Sequence, residues 1–163
     1  GVANDFRRIG LVRNPYNFGT TTVASADTRR QLYAAVFSSV SGTFAADEEI
    51  NQASTGAVGK VVEYDATNKL LYWVQTRFPD VGAASNGNLV AFSGANAITG
   101  QTSGASATPN TSSSTDVNGV SITLGYSNPE LAYDSGDIIY VEERSPITRA
   151  SDQTENIKLI IEF

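Results

Sequence analysis

The sequence predicts a mainly β, antiparallel protein carrying an inserted and duplicated β-hairpin unit, and three observations predict it. Lys60-Val61-Val62-Glu63-Tyr64 and Leu70-Leu71-Tyr72-Trp73-Val74 are β-prone runs on either side of a polar five-residue turn, the pattern of a hairpin. The last run, residues 157–163, alternates so that Ile157, Leu159, Ile161 and Phe163 share one face that should be buried. Only 17% of residues are charged and 40% are hydrophobic, and the rest is rich in Ser, Thr, Asn and Gly, as in β proteins with long loops. A chain of 163 residues can bury a real core.

Taken in order, Arg7-Arg8-Ile9-Gly10-Leu11-Val12-Arg13 is a short strand closed by Asn14-Pro15, because proline removes a donor and biases its predecessor toward extended backbone. Residues 16–26 read as a polar loop. Residues 30–40 fit a helix with Leu32, Ala35 and Val36 on one face, or a strand; their aromatic and β-branched content favours the strand. Trp73, the single Trp, is expected in the core or in a cross-strand aromatic pair. Residues 79–88 read as a loop, and residues 100–114 as a flexible Gly/Ser/Thr loop. Asn118-Gly119 marks a turn leading into a strand. Asp137-Ile138-Ile139-Tyr140-Val141-Glu142 is a strand after a turn at Asp134-Ser135-Gly136, and the terminal strand ties down the C terminus.

A repeat runs through the middle. Phe44, Ile50, Gly56 and Ala57 recur as Phe92, Ile98, Gly104 and Ala105, all displaced by 48 positions, and Ser54-Thr55 maps onto Thr102-Ser103. After a small insertion, Asn68-Lys69-Leu70-Leu71-Tyr72 is echoed by Asn118-Gly119-Val120-Ser121-Ile122. Two copies of a strand, a turn at the Gly and a hairpin are too few for a solenoid and read as a duplicated β element.

The absences narrow the chemistry. The sequence has no His, Cys or Met, so the usual zinc, copper, haem and iron–sulfur ligand sets are missing, as are Ser-His-Asp and Cys-His machinery. No cofactor is expected and the chain reads as a non-enzyme, although carboxylate, Lys and Tyr chemistry stays open. No run approaches the ~18 apolar residues of a membrane span. With a net charge of −6 and scattered basic residues, the chain lacks the clustered Lys/Arg that nucleic acid requires. A start at Gly1-Val2-Ala3-Asn4-Asp5 suggests a piece of a longer protein, with Gly1 a cloning remnant.

The densest acidic grouping is Glu142-Glu143 with Asp134 and Asp137. Glycosidases need two carboxylates facing each other across a cleft, whereas adjacent strand residues point to opposite faces; a solvated strand edge is the better reading. Asp134-Ser135-Gly136-Asp137 and Asp116-Val117-Asn118-Gly119 lack the spaced oxygen ligands and distal Glu of a calcium loop and read as turns. Arg144 could bridge to Asp152 and Glu155 and hold the turn around Pro146.

Ser135-Gly136-Asp137-Ile138-Ile139-Tyr140-Val141-Glu142-Glu143-Arg144-Ser145-Pro146-Ile147, followed by Asp152-Gln153-Thr154-Glu155 and the terminal strand, resembles the end of the T-even phage baseplate wedge family known as gene product eight. Phe6-Arg7-Arg8-Ile9 with Asn14-Pro15 is similar to the strand that opens the same region. The resemblance covers about 45 residues at the two ends of the chain. It places residues 1–19 and 129–163 in a wedge-protein C-terminal β core, with residues 20–128 as an inserted β-rich region.

The resemblance implies a β-sandwich scaffold subunit of the contractile-tail baseplate wedge, a homodimer in the family, with other wedge proteins as partners. It implies a place in the virion tail after assembly in the host cytoplasm. It offers no catalytic, cofactor or metal residues; its motif residues, Tyr140, Glu142, Arg144, Pro146, Asp152, Gln153, Thr154 and Glu155, would be structural. The competing reading is a carbohydrate- or receptor-binding β module displaying Tyr64, Tyr72, Trp73 or Phe78 as a stacking surface. Aromatics buried between sheets would favour the scaffold.

Overall fold

The computed structural model describes residues 8–25, 30–75, 89–132 and 135–143. Among them every regular element is a strand: β1 (Arg8–Arg13), β2 (Tyr33–Val36), β3 (Glu49–Gln52), β4 (Ala57–Asp65), β5 (Leu70–Val74), β6 (Ile98–Gly100), β7 (Ser106–Ala107), β8 (Tyr126–Ser127) and β9 (Asp137–Glu143). Every pairing is antiparallel, so the fold class expected of the sequence is the one the chain adopts. Two compact units result: Gly1–Asn14 with Gly136–Phe163, and Pro15–Ser135. The first holds the two-stranded sheet β1-β9; the second holds a seven-stranded sheet in the order β7-β6-β3-β4-β5-β2-β8.

The hairpin legible in the sequence is β4-β5, with Tyr64 opposite Leu71 and Asp65 opposite Leu70. Its turn is organised by Asp65, whose carboxylate accepts the Thr67 and Asn68 backbone N–H groups at 2.9 and 3.0 Å and Asn68 Nδ2 at 2.6 Å. Bonds from Asn68, side chain and backbone, hold this carboxyl below its ordinary range.

The repeat is a structural one. β3 and β4 form one hairpin, β6 and β7 the other, and β3 pairs with β6 between them. Each turn carries its glycine at positive φ, 76° at Gly56 and 68° at Gly104, where a Cβ would be strained. Each glycine N–H reaches back four residues, to the Gln52 and Gly100 carbonyls at 2.9 and 3.1 Å. In each, the preceding hydroxyl accepts the following alanine N–H: Thr55 from Ala57 at 3.2 Å, Ser103 from Ala105 at 3.1 Å. Equivalent residues therefore make equivalent bonds.

Alternation along the strands selects the inner face. Ala35 and Phe37, Ile50, Ala57 and Val61, Leu71 and Trp73, Ile98, and Ala105 and Ala107 form one buried cluster with Phe44 and Phe92. Burying each large aliphatic or aromatic side chain stabilises by roughly 1.5–3 kcal/mol. The sheet curls around this cluster. Beyond β2, Phe37 bridges to Pro109, and Ser41 and Ser106 exchange N–H···O bonds of 2.9 Å each. The strand run containing β2 thus meets the one containing β7, and the two halves of the sheet enclose the core. On the outer face, Val120 and Ile122 cover Ala34, Val36 and Leu70.

Three expectations change. Residues 100–114 are not a loop throughout: they hold the end of β6, β7 and the closing bridges, with Ala105 and Ala107 buried. Their small side chains suit a close approach, since a Cβ on Gly42 would stand 3.2 Å from the Ala105 Cα. Asn118-Gly119 does turn the chain, but a second tight turn follows at Leu124-Gly125, and the strand comes only at Tyr126–Ser127. Asn14 has φ 51° rather than the extended backbone expected before proline; asparagine tolerates that region, so β1 ends on a left-handed residue. Within residues 16–26, Tyr16 bridges to Val23 and Asn17 to Leu131. The loop at 79–88 and the terminal strand at 157–163 lie outside the described residues.

Candidate assembly interface

The β1-β9 ribbon is where the family-like motif begins. Leu11 faces Tyr140, Gly10 faces Val141, Val12 faces Ile138 and Arg13 faces Asp137; a bulge at Ile139 shifts the register between Leu11 and Val12. Arg13 Nη2 lies 3.3 Å from Asp137 Oδ2, an exposed pair worth little by itself. Leu11, Val12, Ile138, Ile139, Tyr140 and Val141 are all about half exposed or more, Ile138 reaching 70%. The apolar run of β9 occupies successive positions and therefore both faces of the ribbon, the pattern of a strand meant to be covered on both sides. Two-stranded sheets are marginal alone, and exposed apolar surface of this kind marks interaction sites.

Of the motif residues, Tyr140 stands opposite Leu11, and Glu142 opposite Ile9 in backbone register. Arg144, Pro146, Asp152, Gln153, Thr154 and Glu155 lie outside the described residues, and with them the bridge expected from Arg144. The aromatics offered as a stacking surface are mostly turned inward. Trp73 is 1% exposed, stacks on Tyr33 at 5.9 Å between ring centroids and tilts against Phe92 at 5.0 Å. Tyr64 meets Phe44 edge-on at 5.6 Å, and Tyr72 packs against the outer cluster. Phe78 lies outside the described residues.

Sequence reasoning missed Glu48 and Gln52, the two buried polar side chains that join the repeats. The Glu48 carboxylate accepts Ala45 N–H at 2.7 Å, Thr102 N–H at 3.1 Å, Ser103 N–H at 2.9 Å and Ser103 Oγ at 2.8 Å. Burial pushes this carboxyl up, but the bonds from Ser103, Ala45 and Thr102 together outweigh it and hold it below the ordinary range. A Cβ on Gly100 would stand 2.6 Å from Glu48 Oε1, so the clasp requires glycine there. Gln52 accepts Ser93 N–H at 2.8 Å and donates to the Asn96 carbonyl at 2.9 Å. The signal was available in the repeat: Ser93 is the counterpart of Ala45, so each copy has that N–H satisfied by a side chain of β3 or its approach.

Residues 82–163, just over half of the chain, match the family described as Bacteriophage T4, Gp8. No curated protein and no solved structure matches the chain. The matched residues take in the second hairpin of the repeat, β8, β9 and the motif from Ser135 to Ile147, while β1 lies outside them. A match of that extent, reaching from the hairpin of the repeat through the exposed apolar strand, shows that the chain belongs to the Gp8 family of bacteriophage T4, a family of phage baseplate structural proteins of the virion tail.

Proposed function

We propose that the chain is a non-catalytic scaffold of the baseplate wedge, holding neighbouring wedge proteins in register while the baseplate changes shape, and that the β1-β9 ribbon is one of its contact surfaces. The observation that carries this reading is the set of six exposed apolar residues on a two-stranded ribbon whose longer strand lies in the family-matched half. In this reading residues 1–19 and 129–163 belong to the wedge-protein core and the inserted β-rich region lies within residues 20–128, the family match itself beginning at residue 82. Tyr140, Glu142, Arg144, Pro146, Asp152, Gln153, Thr154 and Glu155 then shape the core's final strand and turn. Partners are other wedge proteins and, by family likeness, a second copy, joined in the host cytoplasm before the tail is complete; neither nucleic acid nor membrane takes part.

The test is co-assembly with the neighbouring wedge proteins, using chains with and without residues 20–128. Retention of binding without that region supports a contact surface at the ends of the chain. Binding that depends only on residues 20–128 would sink it.

A further inference from the structure

The two hairpins of the repeat share one hydrogen-bonding site, and the oxygen that fills it comes from a different chain position in each. In one half, Glu48 Oε1 accepts Ala45 N–H at 2.7 Å and the Ser103 hydroxyl at 2.8 Å. By the displacement of 48, the counterparts of those two donors are Ser93 and Thr55. Gln52 Oε1 accepts both, Ser93 N–H at 2.8 Å and the Thr55 hydroxyl at 2.9 Å. Yet Gln52 is the counterpart of Gly100, and the counterpart of Glu48 is Asn96.

The first hairpin and its approach thus carry both acceptors, and the second carries neither. Asn96 turns its Nδ2 to the Ser93 carbonyl at 2.9 Å, and Gly100 has no side chain to offer. Gly100 does not sit at positive φ, so the backbone there is open to any residue. The space is what is taken: a Cβ on Gly100 would stand 2.6 Å from both Glu48 Oε1 and Ser103 Oγ. Both acceptors are buried, Glu48 4% and Gln52 0% exposed, where a donor left without a partner is costly.

We propose that Glu48, Gln52 and Gly100 are the specificity-determining residues of the hairpin pairing, matching the first hairpin to the second and to no second copy of itself. Two first hairpins, pairing through the β3 strands of two chains, would bring Glu48 of one into the space of Gln52 of the other, two oxygens for each site. Two second hairpins would leave both sites with buried donors and no acceptor. Only the unlike pair gives each site one oxygen, so the wrong pairings are excluded as the right one is favoured. The inference stands on the geometry of the repeat and does not depend on the scaffold reading.

Each arrangement can be written into the full chain at the Ser103 site and followed by the melting of Trp73 fluorescence. Gly100→Gln sets two acceptors there, as in a pair of first hairpins; Glu48→Asn leaves none, as in a pair of second hairpins. The double variant reproduces the Asn96 and Gln52 arrangement and restores one. Each single substitution should lower Tm by about 4–8 °C, and the double variant should melt above both. A double variant that melts at or below either single one would overturn the proposal, because the two positions would not then supply the same site. Gly100→Gln melting with wild type would overturn it too, since a second acceptor would cost nothing.

Discussion

Asn51 lies directly opposite Thr99 where β3 pairs with β6, and the two are 48 positions apart, the same displacement that relates the two hairpins. A residue that faces its own counterpart across an antiparallel pair sits on a local two-fold axis. The second unit therefore contains a pseudo-symmetric pair of hairpins joined at their first strands, with Ile50 and Ile98 as equivalent, fully buried residues.

From this equivalence, Ile50→Ala and Ile98→Ala should destabilise alike, each by about 2–5 kcal/mol. Chemical denaturation of the two variants checks it. A large loss in one and almost none in the other would show that the symmetry is of backbone alone.

Glu48→Gln should cost about 1.5–3 kcal/mol near neutral pH, because a charged acceptor of several donors becomes an amide that must turn its own N–H groups toward them. The folded carboxyl is held below its unfolded range, so its contribution is complete above an unfolded pKa of about 4.3 and is lost as pH falls through the lower folded value. The Tm difference between wild type and Glu48→Gln should therefore shrink in acid. A difference that stays constant down to the acid limit would count against the clasp.

Trp73 should emit as a buried indole, resist quenching by acrylamide and shift to the red on unfolding. Its Nε1 is buried and has no hydrogen-bond partner among the described residues. Trp73→Phe should then cost only about 1 kcal/mol, against about 3–5 kcal/mol for Trp73→Ala. Equal losses in the two variants would mean that the indole nitrogen has a partner after all.

Ile138→Ser on the ribbon should change folding stability by less than about 0.5 kcal/mol, as expected for so exposed a side chain. It should nonetheless weaken co-assembly with the wedge proteins. Calorimetry and co-sedimentation on the same preparation separate the two effects.

Where the sequence was legible, one periodicity acted alone. The β4-β5 hairpin and its Asp65 turn follow from alternation and turn chemistry, and the repeat followed from matched Ile, Gly and Ala positions. Residues 100–114 were misread because Ala105 and Ala107 look like linker composition, although small side chains are what the contact with Gly42 needs. Glu48 was invisible because three of its four bonds come from Thr102 and Ser103, more than fifty residues away. Leu124 broke a local rule, and propensity reads such positions wrongly. The apolar run of β9 was read as a strand; its exposure could not be, since patterning reports what should be covered and not whether it is.

The Ser41–Ser106 junction has a consequence for crowding. A free strand edge would invite unplanned pairing with neighbouring chains. Among the described residues, the run beyond β2 joins β7, so the seven-stranded sheet spends those backbone donors and acceptors on itself and leaves β8, a strand of two residues, as its short flank. Any contact this unit makes with another chain would then run through side chains, which can be exact about whom they admit, rather than through main-chain pairing, which admits almost any strand.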